Sequence, residues 1–281
     1  MIKVLHPGFY STIQDIGRKE FQHLGVPISG AMDLEASKMA NALLGNDVDC
    51  AVLEITMVGP KLEFTCDTVI SITGANISPK INGAAINNNT AINIRKGDVL
   101  SFGKLNNGFR SYFAVSGGFK AESVLNSRSM YKGVTQVFRL QKGDLLEIEH
   151  QTSSSRKHAY IKPNMSYLDN HIIRVYKGPE FENLSHVQID TLLNKEFTIS
   201  NNNNRMAYQL EELVINDLND IITSLVLPGT VQLTPSGKLI ILMRDCQTTG
   251  GYPRVLQLSE SSINTMAQKF TGNSIIFDLV D

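Results

Sequence analysis

Short runs rich in Val, Ile, Thr, Phe and Tyr, cut off by glycine, asparagine or proline, recur along the chain. Such runs read as strands of a sheet, broken by turns. The pattern predicts strands over 68–73, 91–94, 99–102, 110–115, 145–149, 172–176, 197–200, 230–234, 239–243 and 274–279. Two breaks carry explicit turn chemistry. Asn82-Gly83 suits a type I′ hairpin because both residues tolerate positive φ, and Pro235-Ser236-Gly237 separates two strand-like runs. The strands are therefore expected to pair mainly as antiparallel hairpins.

Helical periodicity is rare. The best case covers 34–44, where Asp33 can cap the first turn, Ala36, Met39, Ala40, Leu43 and Leu44 share a face, and Gly45 can end the helix in the left-handed region. A second helix is predicted over 262–270 and a weaker third over 187–193. The polar, Ser-rich stretch QTSSSRKHAYIKP after the first half reads as a linker. The expected organisation is a domain over 1–150, a linker over 151–165 and a second domain over 166–281. The asparagine runs 87–89 and 201–204 read as compositional drift.

Composition narrows the function classes. With 42% hydrophobic residues in 281 the chain can build a sizeable core, and a formal net charge of -1 argues against nucleic acid as a partner. No apolar run is long enough to span a bilayer, and the first residues lack the layout of a signal peptide, so no membrane partner and a cytoplasmic location are expected. Cys50, Cys66 and Cys246 are scattered and odd in number, and all three are expected to be core thiols. No GxxxxGK[ST] loop, paired-histidine metal spacing or GxSxG elbow is present, and no protein metal site is expected.

Two polar, glycine-rich patches remain. The first holds Gln14, Asp15 and Arg18 within five positions, then runs through Ser29 and Gly30 to the capped helix start, an arrangement suited to an anion. The plainer alternative is that Asp15 and Arg18 pair with each other and Asp33 merely caps. The second patch is RDCQTTGGYP at 244–253, directly after an apolar strand. There Asp245 can hold a cation or an amine, Gln247 can bond an amide, and Gly250 and Gly251 let a ligand approach the backbone, while a tight loop is the plainer reading. The short run Ser127-Arg128-Ser129 is weak alone.

Together, STIQDIGR (11–18), GVPISGAMD (25–33), RSYFAVSGG (110–118), SRS (127–129), RMAYQLE (205–211) and RDCQTTGGYP (244–253) make the chain resemble one family. It is the carboxyltransferase-type family that includes the C component of 5-oxoprolinase and the carboxyltransferase region of urea amidolyase (urea carboxylase), and the likeness covers nearly the whole chain. The resemblance implies a mainly β fold of two cyclophilin-like β-barrel domains with a few short helices. It implies a subunit of an ATP-dependent 5-oxoprolinase that opens 5-oxo-L-proline to L-glutamate. Partners would be a sister carboxyltransferase-type subunit, similar to the B component of 5-oxoprolinase, and a third protein. On that reading Asp15, Arg18 and Asp245 are the catalytic residues, and Gln14, Ser29, Arg128, Gln247, Thr248, Gly250, Gly251 and Tyr252 bind the small amide substrate. Arg18 and Arg128 would neutralise the phosphates of ATP, and Asp15 and Asp245 would hold its divalent cation or orient substrate. Gln14 and Gln247 would bond the lactam. One alternative is a component that moves a carboxyl group from carboxybiotin, on a separate carrier, to a urea-like amide. Another is a non-catalytic regulatory subunit bound to its sister. Asn126, Ala207 and Gln209 depart from the usual pattern, the last two replacing a Gly and an Arg.

Overall fold

The computed structural model describes residues 1–149 and 164–280. All but the last two residues of the expected linker over 151–165 lie outside the described residues. The chain divides into two compact units, Met1–Arg18 with Ser29–Asp169, and Lys19–Ile28 with Asn170–Asp281.

Unit 1 contains β1 (Ile2–His6), β2 (Tyr10–Gln14), α1 (Leu34–Leu44), β3 (Val52–Thr56), β4 (Lys61–Phe64), β5 (Thr68–Asn76), β6 (Lys80–Ile81), β7 (Ala84–Ala85), β8 (Ile92–Ile94), β9 (Val99–Ser101), β10 (Asn107–Val115) and β11 (Leu145–Leu146). They form a six-stranded sheet ordered β11-β1-β4-β9-β6-β7 and a five-stranded sheet ordered β2-β3-β10-β5-β8. Ile2, Val4, Leu62 and Leu100 of the first sheet share a core with Leu53, Ile55, Ile72, Phe113 and Val115 of the second. Phe113 sits edge-on to Phe64 and Phe119, with centroids 6.4 and 5.7 Å away. Asn82 and Gly83 adopt positive φ between β6 and β7, as the hairpin requires.

The other face of the five-stranded sheet is covered by α1, through Ala36, Ala40 and Leu44 against Val52, Tyr112 and Ala114. Asp33 caps the helix by accepting from Ala36 N–H at 2.9 Å, and Gly45 ends it at φ 71°. Met39 and Leu43, expected on the buried face, are only half-buried, and Ser37 and Asn41 are buried in their place. Small residues let the helix lie close enough for the Ser71 and Thr73 hydroxyls to donate to the carbonyls of Ala40 and Ala36, both at 2.6 Å. Sheet and helix are thus hydrogen-bonded as well as packed. Strands β2 and β3, buried on nearly every residue, show no apolar alternation and are missed by pattern reading. The strand expected over 145–149 shrinks to β11, followed by a single bridge from Ile148 to Phe119.

Unit 2 contains β12 (Ile172–Lys177), α2 (His186–Asn194), β13 (Phe197–Asn203), β14 (Ala207–Leu213), β15 (Ser224–Leu225), β16 (Thr230–Leu233), β17 (Lys238–Leu242), β18 (Thr249–Gly250), β19 (Arg254–Leu258), α3 (Glu260–Ala267) and β20 (Ser274–Leu279). Seven strands close a barrel in the order β12-β19-β16-β17-β14-β13-β20. Pairing is antiparallel except at the β12–β20 seam, which is parallel. β15 and β18 form a separate two-stranded flap. Mainly β architecture with three α-helices among the described residues agrees with the expected fold class, and the closed ring lies in unit 2. Helix α2 starts in a capping box of Ser185 and Gln188. Helix α3 starts two residues before the expected point, because Ser259 caps it by accepting from Ser262 N–H.

Two sequence expectations are corrected. The asparagine runs have structural work: Asn203 Nδ2 donates to Ser200 O, Asn204 Oδ1 accepts from the N–H groups of Met206 and Ala207, and Asn88 Nδ2 donates to Ala75 O. Cys50 and Cys66 are half-buried, so Cys246 alone of the three thiols is a core residue. Burial, and then the charge of neighbouring Asp245, push the Cys246 thiol up to about 12, which keeps it protonated and unreactive.

Replacing Phe113 by Ala is expected to cost about 3–5 kcal/mol, measured by urea unfolding, because it empties the centre of the unit 1 core. A second expectation concerns Glu180, which bonds the Arg254 guanidinium through both oxygens at 2.8 and 3.0 Å. That hydrogen bonding holds the carboxyl below its ordinary 4.5. The pair's stabilisation is therefore full above that ordinary value and fades as pH falls through the lower folded value. Glu180→Gln should flatten the acid limb of the stability profile below about pH 4.5 and leave its neutral shape unchanged.

Candidate functional site

The first patch folds as the end of a strand and the turn after it. Strand β2 ends at Gln14, Gly17 turns the chain at φ 88°, and Gly30 sits so close that any side chain on it would lie 2.9 Å from Gly17 N. Asp15 anchors this region. Its Oδ1 accepts from Gly17 N–H at 2.8 Å and from the hydroxyls of Ser127 and Ser129 at 2.7 Å each, and its Oδ2 accepts from Arg128 N–H at 2.6 Å. The structure thus brings together two sequence motifs more than a hundred residues apart, 14–18 and 127–129.

The remaining members of that patch face the same partner segment. Gln14 Nε2 donates to Met130 O at 3.1 Å and Thr12 Oγ1 at 3.0 Å. The Arg18 guanidinium donates to the carbonyl of Ser129 and is 1% exposed. Ser29 is buried in a positive-φ conformation at 56°. Arg128 donates to the carbonyl of Ala121 and lines a cavity of about 410 Å³ whose rim carries both signs of charge, Lys120 against Glu122, Asp144 and Glu147. A nucleoside triphosphate needs exposed cations or free backbone N–H groups, and Arg18 is sealed from solvent. Arg18 is therefore not placed to meet ATP. Among the described residues, no cluster of three or more His, Cys, Asp or Glu is placed to hold a metal ion.

Deeper in unit 1 a chain of buried polar groups holds the helix start. Glu54 Oε2 accepts from Met32 N–H at 2.7 Å and from the Tyr112 hydroxyl at 3.0 Å, and that hydroxyl accepts from Asp33 N–H at 2.8 Å. The Tyr167 hydroxyl closes the chain on Asp33 Oδ2 at 2.6 Å. Burial first, then the nearby Asp33 charge, raises the Tyr167 phenol, and burial likewise raises Tyr112. Both stay donors. Asp33 therefore does more than cap its helix.

In unit 2 the second patch leaves the end of β17. Asp245 is bound by Arg205 in a two-pronged pair, Nε to Oδ2 at 2.8 Å and Nη2 to Oδ1 at 3.1 Å, with both side chains nearly buried. Its backbone N–H also donates to Arg205 O. The expectation that Asp245 offers an open carboxylate to an amine or cation meets this pairing. Arg205 was legible as part of a motif, but nothing local in the sequence pairs it with a residue forty positions on.

The flap then returns over the outside of the barrel. Strand alternation points Tyr208, Val231 and Ile241 inward, so Ala207, Gln209, Gln232, Ile240 and Leu242 lie on the outer face, with Gln209 and Gln232 each paired to Ile240 in register. Between this face and the residues of the flap lies a cavity of about 520 Å³, which Gln247, Gly250, Gly251 and Tyr252 also line. Four predicted site residues thus share one cavity with Ala207 and Gln209. Thr248 is not a lining residue; its carbonyl accepts from Val226 N–H at 3.1 Å and holds the flap. Gly250 lies against Gln232, whose Nε2 would have to shift to admit a side chain there, at 2.5 Å from its first carbon. No lining residue carries a charge. Sequence reading missed Asn202 and Gln232, although a glutamine in the apolar strand TVQL was a signal; it is 2% exposed.

A family model described as "Carboxyltransferase domain, subdomain A and B" matches residues 24–279. The chain is 32% identical over 283 residues to the C component of 5-oxoprolinase from Escherichia coli (strain K12), covering 99% of this chain and 90% of that protein. Its fold is similar to the crystal structure of TTHA0988, with a TM-score of 0.88 and 25% identity over 99% of this chain and 55% of that one. It is also similar to the K. lactis urea amidolyase, with a TM-score of 0.88 and 27% identity over 100% of this chain and 19% of that one. The chain therefore spans about half of the first solved structure and a fifth of the second.

Breaking the Arg205–Asp245 pair from either side should destabilise the protein by about 3–5 kcal/mol, since each substitution to Ala strands a buried charge. Removing both should cost clearly less than the sum. A double-mutant cycle in urea reads this directly, and additive losses would show that the pair carries no coupling.

Proposed function

The chain belongs to the carboxyltransferase-domain family, subdomain A and B, and from that premise we propose that it is a subunit of an ATP-dependent 5-oxoprolinase, the complex that opens 5-oxo-L-proline to L-glutamate. The observation that carries this reading is the extent of the likeness. The chain accounts for 90% of a free-standing 5-oxoprolinase component, against 19% of a urea amidolyase. Partners are then the sister subunit and a third protein. Opening an unstrained lactam near neutral pH requires activation of the amide oxygen, which ATP supplies by phosphorylation. Because Arg18 is sealed from solvent and no cluster of metal-ligating side chains stands among the described residues, ATP and its divalent cation are assigned to the partners.

Within this chain the uncharged cavity of unit 2 is the proposed place for the amide, with Gln247, Gly250, Gly251 and Tyr252 as binding residues. Asp15, Arg18, Arg128 and Asp245 act as positioning residues: each is bonded to backbone or to a partner side chain of its own unit. Gln14 and Ser29 belong to the same scaffold, and Thr248 holds the flap.

One observation favours a second reading. Gln209 places a neutral amide in a lining that carries no cation for the carboxylate of 5-oxoproline. A carboxyltransferase acting on a neutral, urea-like amide needs no such cation, and the uncharged ureido ring of biotin, delivered on a separate carrier, suits the same lining. The two readings separate in one experiment. The chain, purified alone and with its partner subunits, is incubated with 5-oxo-L-proline and ATP. Glutamate release by the assembled set, absent without ATP and absent with the chain alone, is expected. If the full set releases no glutamate but consumes carboxybiotin in the presence of urea, the second reading replaces the first.

A further inference from the structure

The carboxamides around the unit 2 cavity say more than that it is uncharged. Gln247 Oε1 is buried and accepts no hydrogen bond among the described residues. A buried carbonyl acceptor without a donor is costly, and a ligand N–H can supply what the protein withholds. On the same cavity, Gln232 Nε2 makes one long bond, to Tyr252 O at 3.4 Å, and Asn202 Nδ2 makes another, to Gln209 Oε1 at 3.4 Å. Bonds of that length are weak, so these donors are poorly engaged. The site therefore offers an unused acceptor and underused donors, set against the apolar floor of Ile240 and Leu242.

We infer that this cavity recognises the cis-amide edge of a small ring, a neighbouring N–H and C=O on the same side, with Gln247 Oε1 taking the N–H and the carboxamides of Gln232 and Gln209 serving the C=O. Lactams and cyclic ureas present this edge, whereas an open trans amide points its N–H and C=O in opposite directions. The apolar floor suits the ring carbons. The inference rests on the proposal that the amide substrate binds in this cavity, and it adds the edge that is recognised and the roles of Gln247, Gln209 and Gln232.

The test uses the full chain and four defined probes: 2-pyrrolidinone, 2-imidazolidinone, N-methyl-2-pyrrolidinone and cyclopentanone, titrated by ligand-observed NMR. One or both of the first two should bind, and the N-methyl lactam and the ketone should bind at least about tenfold more weakly, because neither can donate to Gln247. Binding of pyrrolidinone alone points to a lactam, of imidazolidinone alone to a ureido ring, and both outcomes support the cis-amide edge. Gln247→Leu should erase the preference for N–H probes. Gln247→Glu keeps an acceptor and should retain it. Gln209→Leu, on a different strand, removes a partner of the C=O and should weaken all the carbonyl probes together; if Gln247→Leu does not fold, that uniform loss carries the test, and unchanged binding to Gln209→Leu overturns the inference. Equal binding of the N-methyl lactam, no binding of any probe, or an unchanged preference in a folded Gln247→Leu protein would overturn the inference. Its failure is separable from that of the 5-oxoprolinase reading. A complex that releases glutamate as well with Gln247→Leu removes the cavity from the reaction, while N–H-selective binding without glutamate release removes the reaction and leaves the cavity.

Discussion

Burial of sheet faces is the constraint from which the rest of the structure follows. The five-stranded sheet of unit 1 is covered on one side by the core it shares with the other sheet and on the other by α1. The central strands leave polar side chains little access to water, and they nonetheless carry Ser11, Thr12, Gln14, Glu54, Ser71 and Thr73. Each such group has to be matched inside the protein. Ser71 and Thr73 answer by bonding the helix backbone, Glu54 by bonding Tyr112 and Met32, and Gln14 by bonding the segment after Ser129. Asp15, just past the last strand residue, collects four donors from two loops. What reads in the sequence as a concentration of reactive groups is, in unit 1, a set of fasteners.

Unit 2 meets the same constraint differently. Its barrel encloses an apolar interior, and the buried charges Arg205 and Asp245 satisfy each other at the end of β17. On the outer face the flap returns over the wall, and there the rule is relaxed: Gln247 keeps an unmatched acceptor and Gln232 one long bond. A carboxamide left underused at the wall of a cavity is a natural place for a ligand.

This contrast explains what was legible. Helix α1 could be read with both caps, because capping depends on residues adjacent in sequence; so could the Asn82-Gly83 hairpin and the concentration of QTTGGYP at one loop. Strands β2 and β3 could not, since two-sided burial removes the alternation that pattern reading needs. Nor could the fate of Asp15, Arg18 and Asp245, which depends on partners at Ser127, Ser129 and Arg205 far along the chain. A charged motif and a charged site look alike until the pairing is known. Gln232 illustrates the reverse, a functional candidate hidden by standing in an apolar strand.

The placement of charge bears on how work is divided in an assembly. Carboxamides and backbone groups can hold an amide and fix its orientation, but they cannot neutralise the full charge that develops when its carbonyl is attacked or phosphorylated. In this chain the strongest charges near the family motifs are already spent: Arg18 on a carbonyl, Asp15 on four donors, Asp245 on Arg205. Freeing any of them for a substrate would unfasten a loop. If the cavity holds the amide as proposed, the activating group has to come from a second protein, and such a division of work agrees with relatives that are subunits of a complex.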